Sequence, residues 1–115
     1  MKAIGCFVLA VLVAGPATAE YFLTGNDLHK MCLSSRAEAQ AYIMGFNDGV
    51  SLRDEVHKVK SICTPSTVRS GQLVDIVCNA LENAPEKRHW MAAYITIDAL
   101  AKAFPCQSLT QNVSV

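Results

Sequence analysis

The chain has 115 residues, 51% of them hydrophobic, and its 10 basic and 10 acidic side chains cancel to a formal net charge of zero. That length is one domain's worth, and that hydrophobicity belongs to globular rather than disordered chains. With the charge cancelled and no basic stripe or interleaved aromatics, a nucleic-acid partner is excluded.

In chain order, Met1 to Ala19 comes first, with Lys2 as its only charge. An apolar run from Cys6 to Ala14 is followed by Gly15-Pro16 and by the small-x-small site Ala17-Thr18-Ala19. This pattern predicts a cleaved export signal over 1–19, with the mature chain starting at Glu20. The apolar run is shorter than the roughly 20 residues a transmembrane helix needs, so no membrane attachment is expected after cleavage. Cys6 leaves with the signal, and Cys32, Cys63, Cys78 and Cys106 remain. An even set in a small exported domain is expected to form disulfides, and four cysteines allow three connectivities. Zinc is disfavoured, because there is no C-x-x-C pair and His29, His57 and His89 are not at ligand spacings.

Glu20 to Leu23 is a short lead-in. Thr24-Gly25-Asn26-Asp27 has the form of a capping box and opens a brief helix through Leu28 and Cys32. Ser35-Arg36-Ala37-Glu38 is a second capping box, opening a longer helix that reaches at least Val50 and extends toward His57. Its apolar marks are Ala39, Tyr42, Ile43, Phe46 and Val50. Gly45 and Gly49 share a face, at a propensity cost of about 1 kcal/mol each relative to Ala. Two such costs call for a packing reason, either a close helix crossing or a notch for a ligand.

Asp54 to Ser61 is charged and uncommitted between helix and loop, and Cys63-Thr64-Pro65 forms a turn. From Ser66 or Ser70 a third helix begins, its apolar face marked by Leu73, Ile76, Val77, Ala80 and Leu81, with Cys78 at the edge of that stripe. Asn83-Ala84-Pro85-Glu86 breaks the chain, Pro85 falling in the first turn of a closing helix. That helix runs from Trp90 to a stop at Pro105-Cys106, with Ala93, Ile97, Leu100, Ala101 and Phe104 along one face. The tail 107–115 is expected to be loose, and its sequon at Asn112 is read as chance. The predicted fold class is all-α: one small bundle of about four helices over residues 20–106, stapled by disulfides.

No nucleophile stands beside a base and no two carboxylates converge, so no catalytic residue is assigned. Asp48 reads as a helix-face acid pairing with Arg53 or capping a neighbour. His89 reads as a surface residue near a helix start. Trp90 and Tyr94, four apart, make an aromatic ridge that either packs in the core or, if exposed, anchors a protein contact. No phosphate loop or cofactor fingerprint is present, so no cofactor and no metal is expected. The residues describe a non-enzymatic, exported, helical domain.

Five stretches, taken together and in order, carry a resemblance. They are Gly25-Asn26-Asp27-Leu28 with Cys32; Ala41-Tyr42-Ile43-Met44-Gly45-Phe46-Asn47-Asp48; Cys63-Thr64-Pro65 with Gln72-Leu73; Ala84-Pro85-Glu86-Lys87-Arg88; and Ala99 to Cys106. This set resembles the Tai (Rap/Tai-type) family of periplasmic immunity proteins, which protect bacteria from peptidoglycan amidases delivered by type VI secretion. The resemblance implies an all-helical fold, often a homodimer, that blocks an amidase by inserting or covering loops at its Cys-His site. It also implies a disulfide from Cys63 to Cys106. The family commonly has a cysteine just before the Tyr-Ile pair, where this chain has Ala39-Gln40-Ala41. Cys78 is left over, and parity with its edge position predicts a Cys32 to Cys78 bridge. For an inhibitor, the candidate partner-binding residues lie on two connections: Asp54, Glu55, Lys58 and Lys60 on the first, and Glu86, Arg88, His89 and Trp90 on the second. The competing readings are an accessory or structural envelope protein with no toxin partner, and a small-ligand carrier with a pocket near Gly45 and Gly49.

Overall fold

In a computed structural model of the chain, residues 22–107, together with Gly15, are described. The proposed export signal and most of the tail, with Asn112, lie outside these residues. Thr24 does cap the first helix. Its hydroxyl accepts the Asp27 amide at 3.3 Å, while the Asp27 carboxylate accepts the Thr24 amide at 2.9 Å and its hydroxyl at 2.8 Å. Those bonds hold the Asp27 carboxyl below the ordinary aspartate range. They open α1, Gly25–Ser34.

A single residue, Ser35, separates α1 from α2, Arg36–His57. The expected side-chain cap at Ser35 does not form. Ser35 must close one helix and open the next. Its amide donates to Met31 O at 2.9 Å, and its carbonyl accepts from Glu38 and Ala39 at 3.0 and 3.2 Å. Backbone groups fill the role that the side chain was expected to take. The helix runs on to His57, where Lys58 takes the left-handed conformation at φ 55° and ends it.

The third helix, α3, spans Ser70–Asn83, and the Gln72 side chain accepts the Arg69 amide at its start, at 2.8 Å. The closing segment corrects the expectation. Pro85 does not begin the last helix but a separate 3-10 turn, Pro85–Lys87, and α4 spans Ala92–Ala103. Phe104 is non-helical, as the following proline requires.

The core joins Leu28 of α1, Ala39 and Ile43 of α2, Leu73, Val74, Val77 and Leu81 of α3, and Ala92, Ile95, Ala99 and Leu100 of α4. On the α3 face Leu73, Val77 and Leu81 are buried as expected, Val74 is added, and Ile76 and Ala80 are half-buried against the core. The α4 face is rotated: Ala92, Ile95, Thr96, Ala99 and Leu100 are buried, while Ala93, Ile97, Ala101 and Phe104 are half-buried. Thr96 explains the rotation. Its hydroxyl donates to Ala92 O at 2.8 Å, so a polar side chain sits in the core with its hydrogen bond made inside its own helix.

Both expected disulfides are present. Cys32 bridges α1 to Cys78 of α3 across 46 positions, and Cys63 bridges to Cys106 beyond α4 across 43. The Cys63 amide also donates to Phe104 O at 3.0 Å, so backbone and disulfide tie the same two segments.

The glycine that permits close packing is Gly25. A Cβ there would lie 2.5 Å from Ile95 Cδ1 and 2.8 Å from Arg88 O. The backbones meet here: Gly25 N donates to Trp90 O at 2.8 Å, Asn26 N to Arg88 O at 2.7 Å and Ala92 N to Leu23 O at 2.8 Å. Gly45 and Gly49 are exposed, and a Cβ at either would meet nothing within 4 Å. Among the described residues they form neither a helix crossing nor a ligand notch, so the carrier reading finds no support at these two positions.

Candidate partner-binding surface

The two connections singled out from the sequence are built differently. In the first, Asp54 is buried at the last turn of α2. Its carboxylate accepts Arg53 Nε and Nη2 at 3.1 and 2.6 Å, the Ser61 amide at 2.7 Å and the Ser61 hydroxyl at 3.0 Å. The Arg53 guanidinium, then the Ser61 amide, hold that carboxyl below its ordinary range. Asp54 therefore folds the loop back onto the helix. Arg53 pairs with it rather than with Asp48, contrary to expectation, and Asp48 is exposed. Glu55, Lys58 and Lys60 point outward, with Glu55 and Lys58 forming only a 3.4 Å surface pair.

The second connection follows α3. Arg88 donates through Nε to Leu81 O at 2.6 Å and through Nη2 to Glu82 O at 3.0 Å. It thus satisfies carbonyls that the end of α3 leaves without helical partners. Glu82 also meets His29 of α1 at 2.6 Å, and that contact lowers the Glu82 carboxyl pKa. Glu86 and His89 are exposed.

Trp90 is 39% exposed, Met91 47% and Tyr94 55%. The aromatic ridge is therefore on the surface, and core packing is overturned for it. The cause is positional: α4 starts only at Ala92, so Trp90 precedes the helix and lies off its buried face. The Trp90 and Tyr94 rings meet edge to face with centroids 5.5 Å apart, and Lys87 Nζ stands 5.6 Å from the Trp90 ring centre. Beside them opens a cleft of about 240 Å³ lined by Lys87, Trp90, Tyr94, Asp98 and Lys102, with Leu81 and Ile95 in its wall. Asp98 pairs with Lys102 at 2.8 Å and raises the Lys102 pKa.

The structure thus brings Trp90 together with Lys87, Tyr94 and Lys102. The first connection borders a separate, more polar hollow around Ser51, Glu55 and Lys60 that shares no lining residue with this cleft. The sequence reading assigned Trp90 to the surface candidate but left out Tyr94, Asp98 and Lys102. The signal was the spacing of four that runs through 94, 98 and 102 and puts them in one row of α4, which Trp90 meets at Tyr94 from just before the helix.

Among the described residues, no three His, Cys, Asp or Glu side chains are grouped to hold a metal ion, and no helix is long and apolar enough to cross a membrane. A family model, that of the Rap1a immunity proteins, matches residues 24–106. The match begins at the Thr24 cap and ends at Cys106, so it takes in all four helices and both disulfides. No curated protein and no solved structure matches the chain.

Proposed function

Because the chain belongs to the family of Rap1a immunity proteins, the family toward which the Tai resemblance pointed, we propose that it binds and inhibits a peptidoglycan amidase delivered into the periplasm by type VI secretion. The protein performs no chemistry of its own in this reading and acts by occupying its target's surface. Beyond family membership, the observation that carries the reading is the exposed pair Trp90 and Tyr94 on a doubly stapled scaffold. A half-exposed tryptophan beside a cleft is a common anchor of protein contacts, since it buries much apolar area while losing little side-chain freedom. Lys87 and Lys102 at the edge of the cleft supply the polar rim such anchors need.

Asp54 and Arg88 position the two connections, and Glu55, Lys58, Lys60, Glu86 and His89 are the side chains left free to meet the enzyme. The supporting experiment is rescue: expression of the chain in the periplasm is expected to protect cells from the cognate amidase. Trp90→Ala is expected to weaken inhibition by at least about 30-fold, which corresponds to roughly 2 kcal/mol at a central anchor, with the thermal midpoint unchanged. Full protection by a Trp90→Ala, Tyr94→Ala double variant would remove the anchor from the reading.

A further inference from the structure

Charge is not spread evenly over the cleft beside Trp90. Two of its lining residues are lysines, Lys87 and Lys102, against a single acid, Asp98. The chain as a whole is neutral, so this surface holds a local positive surplus. The two lysines are held differently. Lys102 is exposed and pairs with Asp98, one helical turn before it, at 2.8 Å. Lys87 pairs with no carboxylate among the described residues. Its Nζ stands over the Trp90 ring instead, 5.6 Å from the ring centre. The neighbouring acids do not fill the gap: Glu82 meets His29 at 2.6 Å, and Glu86 lies outside the lining.

Apart from Asn83 and the Tyr94 hydroxyl, the rest of the lining is apolar. Leu81 and Ile95 are its buried wall, and Ala80 and Ala84, with single methyl groups for side chains, leave room beside the two aromatic rings. An apolar recess with a few placed charges is the ordinary make-up of a binding site. A ligand that matches it carries a negative charge on an apolar body. Lys87 fixes the sign of that charge, and Asp98 limits its size. A dianion such as phosphate would meet the small surplus and the Asp98 carboxylate together, whereas a carboxylate brings the one charge that Lys87 lacks.

From this complementarity we infer that the cleft seats an acidic side chain of the partner protein: its carboxylate meets Lys87 and shares Lys102 with Asp98, and an apolar residue next to it lies against Trp90 and Tyr94. The inference rests on the proposed reading that the target is a protein, and it adds the chemistry of the segment that the target presents.

Trp90 is the only tryptophan of the chain, so its fluorescence reports on this cleft alone. The probes are the blocked dipeptides acetyl-Phe-Glu-amide and acetyl-Phe-Gln-amide, titrated into the purified chain; they share a shape and differ by one charge. The glutamate probe is expected to bind roughly fivefold more tightly, the scale of two exposed charge contacts. That preference should disappear in a Lys87→Gln, Lys102→Gln variant and shrink in 1 M salt, where charges are screened over about 3 Å. Asp98→Asn should act the other way. It frees Lys102, so the glutamate probe should bind about threefold more tightly while the glutamine probe is unaffected. Equal binding of the two probes, no response of Trp90 to either, or an Asp98→Asn chain no tighter for the glutamate probe would overturn the inference. Inorganic phosphate acting on Trp90 at lower concentration than the glutamate probe would make this a phosphate site and overturn it as well. Rescue judges the amidase separately. A glutamate preference without rescue leaves the acidic segment standing and removes the amidase, whereas rescue with equal probe binding removes only the acidic segment.

Discussion

The two connections that flank α3 are held by opposite kinds of anchor. In the first, a buried carboxylate, Asp54, gathers donors: a guanidinium, a hydroxyl and the amide of Ser61 seven residues later. In the second, a half-buried guanidinium, Arg88, gathers acceptors, the carbonyls of Leu81 and Glu82 at the end of α3. The first connection is also fastened covalently at Cys63, whereas the second depends on the approach of the α1 backbone at Gly25. A formal charge in a loop is therefore not by itself a candidate contact. One charged side chain in each connection is committed to shaping it, and only its neighbours remain for a partner.

Removing the covalent anchor should have the largest effect on this contrast. A Cys63→Ala, Cys106→Ala variant is expected to lose about 4 kcal/mol, from the chain-entropy cost of opening a loop of this length. Thermal unfolding measures the loss, and amide exchange should quicken at Thr64 to Val68 before it does at Gly25. A smaller loss is expected on the other side. Gly25→Ala places a Cβ against Ile95 and the Arg88 carbonyl and should cost about 1–3 kcal/mol by overpacking. Its signature is a loosened second connection with the disulfides intact, seen as faster exchange at the Asn26 and Ala92 amides. The smallest effect is that of pH on Asp54. Its carboxyl titrates below the ordinary aspartate value of about 3.8, so its contribution is fully present above that value and is lost as pH falls through the lower folded value. Asp54→Asn should flatten the acid limb of the stability curve between these two values while leaving stability against pH unchanged at neutrality and above.

The same contrast separates what was legible in the sequence from what was not. The Thr24 box and the α3 stripe are local patterns, and both formed where the residues placed them. Ser35 looked like an equally good cap, but a one-residue joint left its backbone to do the capping. The α4 face was misassigned because Thr96 counts as polar until its hydroxyl is seen bonded to Ala92 O. Asp54 and Arg88 act across folded loops, on atoms whose position no periodicity specifies. Trp90 was legible as an aromatic spaced four from Tyr94, but its exposure depended on a helix start two residues later than expected. The glycines show the same limit most plainly. Gly45 and Gly49 stood out by spacing and a Cβ at either meets nothing among the described residues, whereas Gly25, inside a capping box, is where two backbones touch.

The order of the disulfides along the chain has one more consequence. The Cys32–Cys78 bridge spans Cys63, and the Cys63–Cys106 bridge spans Cys78, so the two closed loops interlock in sequence and neither joins consecutive cysteines. A chain entering an oxidising compartment N-terminus first presents Cys32 and then Cys63, and an oxidant acting on thiols as they arrive would join that wrong pair. The native pattern is reached only if oxidation waits for the helices to pack, or if a free thiolate later attacks the misplaced disulfide and exchanges it. Maturation of this protein thus requires helix packing before oxidation or thiol exchange after it, and by the second route its yield should depend on an isomerase more steeply than that of a domain whose cysteines pair in order.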